Sequence, residues 1–178
     1  SADGTYALRA INDVCELGMS PQELAHDAGL LGSDCPFFVQ DGSALVQGRG
    51  EIVTPIDISS ALAGCHVVVA NPGIHIGTAE AFAHVTPQPR VTNWQGLADT
   101  HLGQWHLHLR NDFEVGIRAQ HVAVDELLTL MAEAGADYVQ MTGTGSTVFG
   151  LFKDRASANR AEAMCKEAHQ GVVWKGLC

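Results

Sequence analysis

Between two apolar runs lies Met141-Thr142-Gly143-Thr144-Gly145-Ser146-Thr147, a loop of small residues. Its glycines allow backbone N–H groups to approach an anion closely. Far upstream, a second segment places one acid in a tight turn between a predicted helix and an apolar run: Leu31-Gly32-Ser33-Asp34-Cys35-Pro36-Phe37-Phe38. Either segment alone is weak evidence of function. Together they predict a carboxylate that acts as a general base and a loop that binds phosphate, which folding brings together.

Composition limits the class of protein. The chain has 178 residues, of which 46% are hydrophobic and 17% charged, and its formal net charge is -10. This balance is enough for one domain or two small ones and excludes wholesale disorder. No basic stripe exists, which argues against a nucleic-acid partner. The three lysines are Lys153, Lys166 and Lys175, so a phosphate site earlier in the chain must use arginine, backbone N–H groups or a metal.

The five cysteines have no C-x-x-C spacing, which predicts reduced thiols and a cytoplasmic protein. The apolar runs are far too short to span a membrane, so we expect no membrane partner. We expect no signal peptide before the first predicted helix. The chain begins at Ser1 without a methionine, so we expect the gene to begin further upstream. Nothing in the sequence indicates an oligomeric state.

The first part of the chain predicts two helices and three short strands. Apolar spacing predicts a helix from Asp3 to Leu17, with Gly18 as its stop. A capping box at Ser20-Pro21-Gln22-Glu23 predicts a second helix to about Leu31. The predicted strands are Phe37–Val39, Ala44–Gln47 and Ile52–Thr54, with a hairpin turn at Asp41-Gly42 and a domain boundary within Ser59 to Gly64.

The second part predicts the order β-α-β-β-α-β, which is typical of the ferredoxin-like split βαβ fold. A variable-looking stretch, Thr86 to Arg110, follows the first helix of this part. The predicted strands are His66–Ala70, Tyr138–Met141, Thr147–Phe152 and Val172–Lys175. The predicted helices are Thr78–His84, Val122–Ala134, which ends at Gly135, and Ser157–Ala168, with Ser157 as a candidate cap.

The order of several segments resembles the GHMP kinase superfamily. Within it, the resemblance is to kinases of the non-mevalonate route of isoprenoid synthesis. Two segments are specific to those kinases: the Gly48-Arg49-Gly50-Glu51 turn, and Asn71-Pro72-Gly73 with Thr78, Ala79, Glu80, Ala81 and Phe82. The other matching segments are Ser1-Ala2-Asp3-Gly4 with Leu8 and Asn12, Leu31 to Phe38, Asn111-Asp112-Phe113-Glu114, and Met141 to Phe152.

The resemblance implies an α+β, two-domain GHMP kinase fold. Residues 1–60 would be the C-terminal part of an S5-like, ATP-binding N-terminal domain, and residues 61–178 the ferredoxin-like C-terminal domain. It also implies that the family's N-terminal third is lacking here. That third holds a lysine near the acid, an aromatic–histidine pair for cytosine and most of a glycine-rich phosphate loop. We therefore expect the chain by itself to be inactive.

The implied reaction is transfer of the γ-phosphoryl group of ATP to the 2-hydroxyl of 4-diphosphocytidyl-2-C-methyl-D-erythritol, with Mg²⁺ on the phosphates. Asp34 would accept the hydroxyl proton. Gly143, Thr144 and Gly145 would place N–H groups near the phosphates. Four further residues complete the implied site: Ser1 and Asp3 at a helix N-terminus that favours anions, and Thr78 and Phe82, one helical turn apart, against the cytidine.

Each of these residues has an ordinary structural interpretation as well. Asp34 fits a turn or N-cap aspartate, the glycine loop a strand connection, and Phe82 core packing. The alternative enzymes are a homoserine or mevalonate type of GHMP kinase, although their substrates have no nucleobase for an aromatic ring to stack on. The alternative outside catalysis is an inactive binding or regulatory fragment.

Two further groups of residues invite a catalytic or metal-binding interpretation. His101, His106 and His108 suggest a metal site, since alternate residues on a strand, such as His106 and His108, share a face. No acid or cysteine completes that set, so a surface loop without a metal is expected. Cys35 adjoins Asp34 but has no evident base, which argues against a nucleophile.

Overall fold

A computed structural model describes residues 1–85, 94–171 and 173–178. The chain divides into two compact units, Ser1–Ile58 and Ser59–Cys178. Within the described residues, no helix combines the length and apolarity needed to cross a bilayer.

The first unit contains two helices, a 3-10 turn and a hairpin. Its elements are α1 (Ala2–Val14), α2 (Pro21–Leu31), a 3-10 helix (Cys35–Val39), β1 (Ala44–Gln47) and β2 (Ile52–Pro55). The predicted capping box is confirmed, because the Ser20 side chain accepts the N–H of Glu23 and the Glu23 carboxylate accepts the N–H of Ser20 at 2.8 Å. These hydrogen bonds from Ser20 lower the pKa of Glu23.

The strand predicted at Phe37–Val39 is wrong. These residues continue a 3-10 helix that begins at Cys35 and has Pro36 in its first turn. Proline fixes φ and has no N–H to donate, which suits the first turn of a helix better than a sheet ladder. Asp41-Gly42 is therefore not the hairpin turn. The hairpin pairs β1 with β2 and turns at residues 48–51, with Gln47 opposite Ile52.

The second unit is built on a four-stranded antiparallel sheet. Its strands are β3 (His66–Ala70), β4 (Tyr138–Met141), β5 (Val148–Phe152) and β6 (Val173–Leu177), in the order β4-β5-β3-β6. The helices are α3 (Ser59–Leu62), α4 (Thr78–Ala83), α5 (Glu114–Gln120), α6 (Val122–Glu133) and α7 (Arg155–Ala168). The predicted α+β, ferredoxin-like arrangement is confirmed. Val172, the first residue of the last predicted strand, lies outside the described residues.

The core of the second unit lies between the sheet and helices α6 and α7. Its buried members are apolar side chains with no exposed surface or almost none, which close-pack as protein interiors do. They include Val68 and Phe152 from the sheet, Leu127, Leu128 and Met131 from α6, and Ala158, Ala161 and Cys165 from α7. Burial raises the pKa of the Cys165 thiol to about 11, so this thiol stays protonated at neutral pH.

Two predictions about this unit need correction. The cap of α7 is Asp154 rather than Ser157: its carboxylate accepts the N–H of Ala156 and of Ser157, as well as the Ser157 hydroxyl. Hydrogen bonds from the Ser157 side chain and backbone hold the pKa of Asp154 below its usual range.

The stretch from Thr86 to Arg110 is more ordered than predicted. Residues 86–93 lie outside the described residues, but Gln95–Asp99 and Leu102–Leu107 form 3-10 helices. Leu102 and Trp105 are 2% and 4% exposed, so part of this stretch belongs to a buried cluster. The Trp105 ring meets the Tyr138 ring edge-on at 5.9 Å between centroids.

Thr5 joins α1 to the 3-10 helix inside the first unit. Its side chain is fully buried, and Thr5 Oγ1 lies 3.0 Å from the carbonyl oxygen of Cys35 and 3.2 Å from that of Ser1. A buried carbonyl that loses its donor costs free energy because water cannot replace the donor. This hydroxyl therefore fixes the first turn of α1 against the residue that follows Asp34.

We predict that Thr5→Val lowers the free energy of unfolding by about 1 kcal/mol, because valine keeps the shape but removes the hydroxyl that bonds to the Cys35 carbonyl. Urea titration followed by circular dichroism measures the change. Thr54→Val, at an exposed strand position, is the matched control and should change stability little. Equal stability of both variants would remove Thr5 from this structural role.

Candidate functional site

Asp34 lies in an exposed turn at the start of the 3-10 helix. Its side chain makes no capping hydrogen bond to that helix, so its carboxylate is not used to build the turn. The turn is held by other groups: the N–H of Cys35 donates to the Gly32 carbonyl at 3.1 Å, and the Thr5 hydroxyl lies at the Cys35 carbonyl. An ionised carboxylate on a fixed, solvent-accessible turn can accept a proton from a bound hydroxyl.

The β1–β2 hairpin turn packs directly on the Asp34 turn. Gly50 is buried with φ of 126°, and a Cβ there would overlap the carbonyl of Ser33 and lie 3.2 Å from Asp34 Oδ1. Only glycine combines that backbone angle with so close an approach. Hydrogen bonds from the N–H groups of Glu51 and Arg49 hold the pKa of the Glu51 carboxyl below its usual range. The Gly-Arg-Gly-Glu turn therefore forms a wall beside Asp34.

The N-terminus of α1 meets the same turn. Ser1 occupies the N-cap position without a side-chain cap, and its carbonyl accepts the N–H of Thr5 at 3.1 Å and lies 3.7 Å from Cys35 Sγ. Asp3 lies in the first turn of α1 and is exposed. A helix N-terminus offers unpaired N–H groups and the positive end of the helix dipole. The first unit thus brings Ser1 and α1 to the residue next to Asp34.

In the second unit, the glycine loop connects β4 to β5. The Thr142 N–H donates to the Thr147 carbonyl at 2.8 Å, and the Gly145 N–H donates to the Thr142 carbonyl at 2.9 Å. The N–H groups of Gly143 and Thr144 have no acceptor in the described part of the chain. Gly145 has φ of 91°, and a Cβ there would lie 2.9 Å from Met141 Sδ. Gly143 and Thr144 therefore offer donors, whereas Gly145 sets the shape of the loop.

Sequence reasoning assigned no role to Asn111 and Glu114, yet these side chains hold the glycine loop. Asn111 Nδ2 donates to the carbonyls of Gly143 at 2.6 Å and Met141 at 2.9 Å. Glu114 Oε2 accepts the N–H of Met141 at 2.8 Å. The signal in the sequence was the Asn-Asp-Phe-Glu segment itself. Its partner is backbone, and a backbone contact is invisible in a residue pattern.

Asn71 and Ser146 hold the other side of the loop. Asn71 Nδ2 donates to Thr147 Oγ1 at 2.9 Å, and Asn71 Oδ1 accepts the N–H of Gly73 at 2.7 Å. The Ser146 hydroxyl donates to the carbonyl of Ile74 at 2.6 Å. The Asn-Pro-Gly segment is therefore a structural support for the loop.

Thr78 and Phe82 lie on α4, one turn apart, and both are exposed. Phe82 is 60% exposed, which does not fit the interpretation of this ring as core packing. Its ring packs against Phe113 in a T-shaped arrangement, with ring centroids 4.9 Å apart and an interplanar angle of 77°. A supported ring with open surface can stack on an aromatic ligand.

The described residues hold no cluster of three or more His, Cys, Asp or Glu side chains suited to a metal ion. His101, His106 and His108 are exposed, and His101 Nδ1 accepts the N–H of Gly103 at 3.2 Å. Leu102–Leu107 is a 3-10 helix, so these histidines do not share a strand face. Cys35 is 3% exposed, and all five cysteines are free.

Comparison with known proteins shows what this chain is similar to. The family profile described as GHMP kinases C terminal matches residues 99–170. A crystal structure of 4-(cytidine 5'-diphospho)-2C-methyl-D-erythritol kinase superposes with a TM-score of 0.75 at 26% identity, over 98% of this chain and 62% of that chain. Homoserine kinase from Cytophaga hutchinsonii gives a TM-score of 0.77 at 15% identity, over 97% of this chain and 62% of that chain, which is a likeness of fold alone. Residues 99–170 thus match the GHMP kinases C terminal profile, and the chain has the GHMP kinase fold.

By sequence, the chain is similar to 4-diphosphocytidyl-2-C-methyl-D-erythritol kinases. It is 33% identical over 153 residues to the one from Parabacteroides distasonis, covering 86% of this chain and 56% of that protein. It is 34% identical over 164 residues to the one from Porphyromonas gingivalis, covering 90% of this chain and 59% of that protein. The chain thus spans between half and two thirds of the length of these relatives.

Proposed function

We propose that this chain is part of an ATP-dependent kinase that phosphorylates the 2-hydroxyl of 4-diphosphocytidyl-2-C-methyl-D-erythritol in non-mevalonate isoprenoid synthesis. The observation that carries the proposal is the exposed Asp34 carboxylate on a turn held by Thr5 and Gly50. The names and identity of the relatives support the substrate. Residues 1–60 would then close the ATP-binding domain, residues 61–178 would be the C-terminal domain, and the protein would act in the cytoplasm.

In the proposed reaction, Asp34 accepts the proton of the attacking hydroxyl as the γ-phosphoryl group transfers. Phosphoryl transfer needs mainly positioning and charge stabilisation, so a base in a fixed place suits it. Ser1 and Asp3 would end the phosphate loop at the N-terminus of α1. The N–H groups of Gly143 and Thr144 would donate to phosphate oxygens, and Gly145 would keep the loop in shape.

Mg²⁺ would neutralise phosphate charge when bound with ATP. Magnesium is commonly held by one or two carboxylates together with substrate phosphates and water, rather than by a full cage of protein ligands.

Thr78 and Phe82 would select the cytidine group, with the exposed Phe82 ring stacked on the base. Homoserine and mevalonate carry no nucleobase, so a kinase for either substrate has no use for this ring. The exposed aromatic surface therefore favours the cytidylated alcohol over those two substrates.

The proposal is tested by a coupled assay of ADP release with three alcohols: the cytidylated erythritol, homoserine and mevalonate. We compare residues Ser1–Cys178 with the protein extended upstream to the length of its relatives. The extended protein should release ADP only with the cytidylated erythritol, and the 178-residue chain should be inactive. Turnover on homoserine or mevalonate alone would refute the substrate, and robust turnover by the short chain would refute the need for the upstream segment.

We predict that Asp34→Asn in the extended protein reduces kcat by about a hundredfold to ten-thousandfold, the usual contribution of general-base help. The fold and the affinity for ADP should be unchanged, because the carboxylate does not build the turn. Steady-state kinetics, circular dichroism and calorimetric titration with ADP measure these quantities. Asp41→Asn, an exposed acid at the other end of the 3-10 helix, is the control. More than about half of the parent kcat in Asp34→Asn would make Asp34 a turn residue only.

We predict that Phe82→Ala raises KM for the cytidylated alcohol while leaving KM for ATP unchanged. Loss of a stacking surface should cost roughly 1–3 kcal/mol, by analogy with bases stacked on aromatic side chains. Leu107→Ala, which removes another exposed apolar side chain of the same unit, should change neither constant. An equal rise in both KM values, or a lower melting temperature with parent kinetics, would assign Phe82 to structural packing.

A further inference from the structure

Asn111 holds the carbonyl side of the glycine loop. Its Nδ2 carries two hydrogens, and each has one acceptor, the carbonyls of Gly143 at 2.6 Å and Met141 at 2.9 Å. Its Oδ1 accepts the N–H of Phe113 at 2.9 Å. The Phe113 N–H, just before α5, thus orients the Asn111 side chain. Both amide hydrogens of Asn111 donate to the glycine loop.

The position of Met141 explains why this contact exists. Strand β4 is an edge of the four-stranded sheet, so Met141 has one side of its backbone without a strand partner. Glu114 Oε2 accepts the Met141 N–H, and Asn111 Nδ2 donates to the Met141 carbonyl. Two side chains therefore take the place of a neighbouring strand at the point where β4 ends.

The contact with Gly143 has a different consequence. The Gly143 carbonyl and the Thr144 N–H belong to one planar, trans peptide unit, so the direction of one fixes the opposite direction of the other. Gly143 has φ of 51° and no side chain, and a Cβ built there would meet nothing within 4 Å, so no side chain at this position restricts rotation of that unit. The hydrogen bond from Asn111 supplies the restraint that the glycine itself does not.

We infer that Asn111 is a positioning residue that orients the Thr144 N–H toward a bound phosphate group by holding the Gly143 carbonyl from the opposite side. The inference rests on the proposed function in one respect, that the loop binds a nucleotide phosphate. It assigns to Asn111 control of nucleotide affinity and no contact with the nucleotide or the alcohol.

The test uses Asn111→Asp in the extended protein. Aspartate keeps an oxygen that accepts the Phe113 N–H, but it replaces the donor with a negative charge against two carbonyls. We expect ADP affinity, measured by calorimetric titration, to fall about tenfold, the effect of roughly one hydrogen bond. Amide hydrogen exchange should become faster in peptides that cover Thr142–Thr147. The melting temperature and KM for the cytidylated alcohol should stay near the parent values.

A control variant separates positioning from general damage. Asn159→Asp makes the same chemical change on α7, where Asn159 Oδ1 accepts from Lys175 Nζ, and should leave exchange in the loop unchanged.

The outcomes divide clearly. Parent-like ADP affinity in Asn111→Asp, or an equal loss of affinity for both substrates with a lower melting temperature, overturns the inference. A parent protein that binds ADP but does not phosphorylate the cytidylated alcohol refutes the proposed substrate, while the ADP measurements still decide the role of Asn111. A parent protein that does not bind ADP refutes both.

Discussion

Close approach of one backbone to another is the constraint on which both candidate regions depend. At Gly50 the hairpin turn touches the Ser33 carbonyl, and at Gly145 the loop packs beside Met141 Sδ. Both positions have a φ that L side chains rarely adopt, so neither accepts a Cβ without movement of the surrounding turn. The exposed carboxylate of Asp34 and the open N–H groups of Gly143 and Thr144 lie next to these contacts. Rigid turns thus present chemically useful groups without using those groups to hold the turns.

The same separation of tasks holds among the polar side chains. Thr5, Asn71, Asn111 and Glu114 bind backbone or neighbouring side chains. The Asp34 carboxylate makes no capping hydrogen bond, and the N–H groups of Gly143 and Thr144 have no acceptor in the described part of the chain. Catalysis of phosphoryl transfer relies on donors that are in place before the reaction begins, because they then need no reorganisation. In each unit, donors and acceptors on turns that other side chains hold are suited to that requirement.

The sequence predicted the elements whose pattern is local. The capping box of α2, strand β3 and the Val122–Glu133 helix follow from adjacent residues, and so does the β-α-β-β-α-β order. The Asp34 turn and the glycine loop were singled out from the residues themselves, and the resemblance to a family assigned their roles. Errors arose where two local signals competed, as at Pro36, which favoured a 3-10 helix over a strand, and at Asp154, which capped α7 three residues before Ser157.

The roles of Asn111, Thr5 and Gly50 could not be derived from the sequence. Each depends on a backbone atom distant along the chain: the Gly143 carbonyl for Asn111, the Cys35 carbonyl for Thr5, and the Ser33 carbonyl for Gly50. A carbonyl is present at every residue, so no pattern of residue types marks the one that is used. Trp105 was missed for a related reason, because the polar residues around it outweighed one aromatic ring whose partner, Tyr138, lies on another element.

The hydrogen bonds of Asn111 and Glu114 to main-chain atoms restrict how the sequence of this loop can change during evolution. Asn111 donates to two main-chain carbonyls and Glu114 accepts a main-chain N–H. Substitution of the side chains at positions 142 and 144 therefore leaves these hydrogen bonds intact. Insertion or deletion of a single residue would break these hydrogen bonds, because it would shift the positions of the main-chain atoms that Asn111 and Glu114 bind. Divergence in this loop should therefore proceed by replacement of side chains at fixed length.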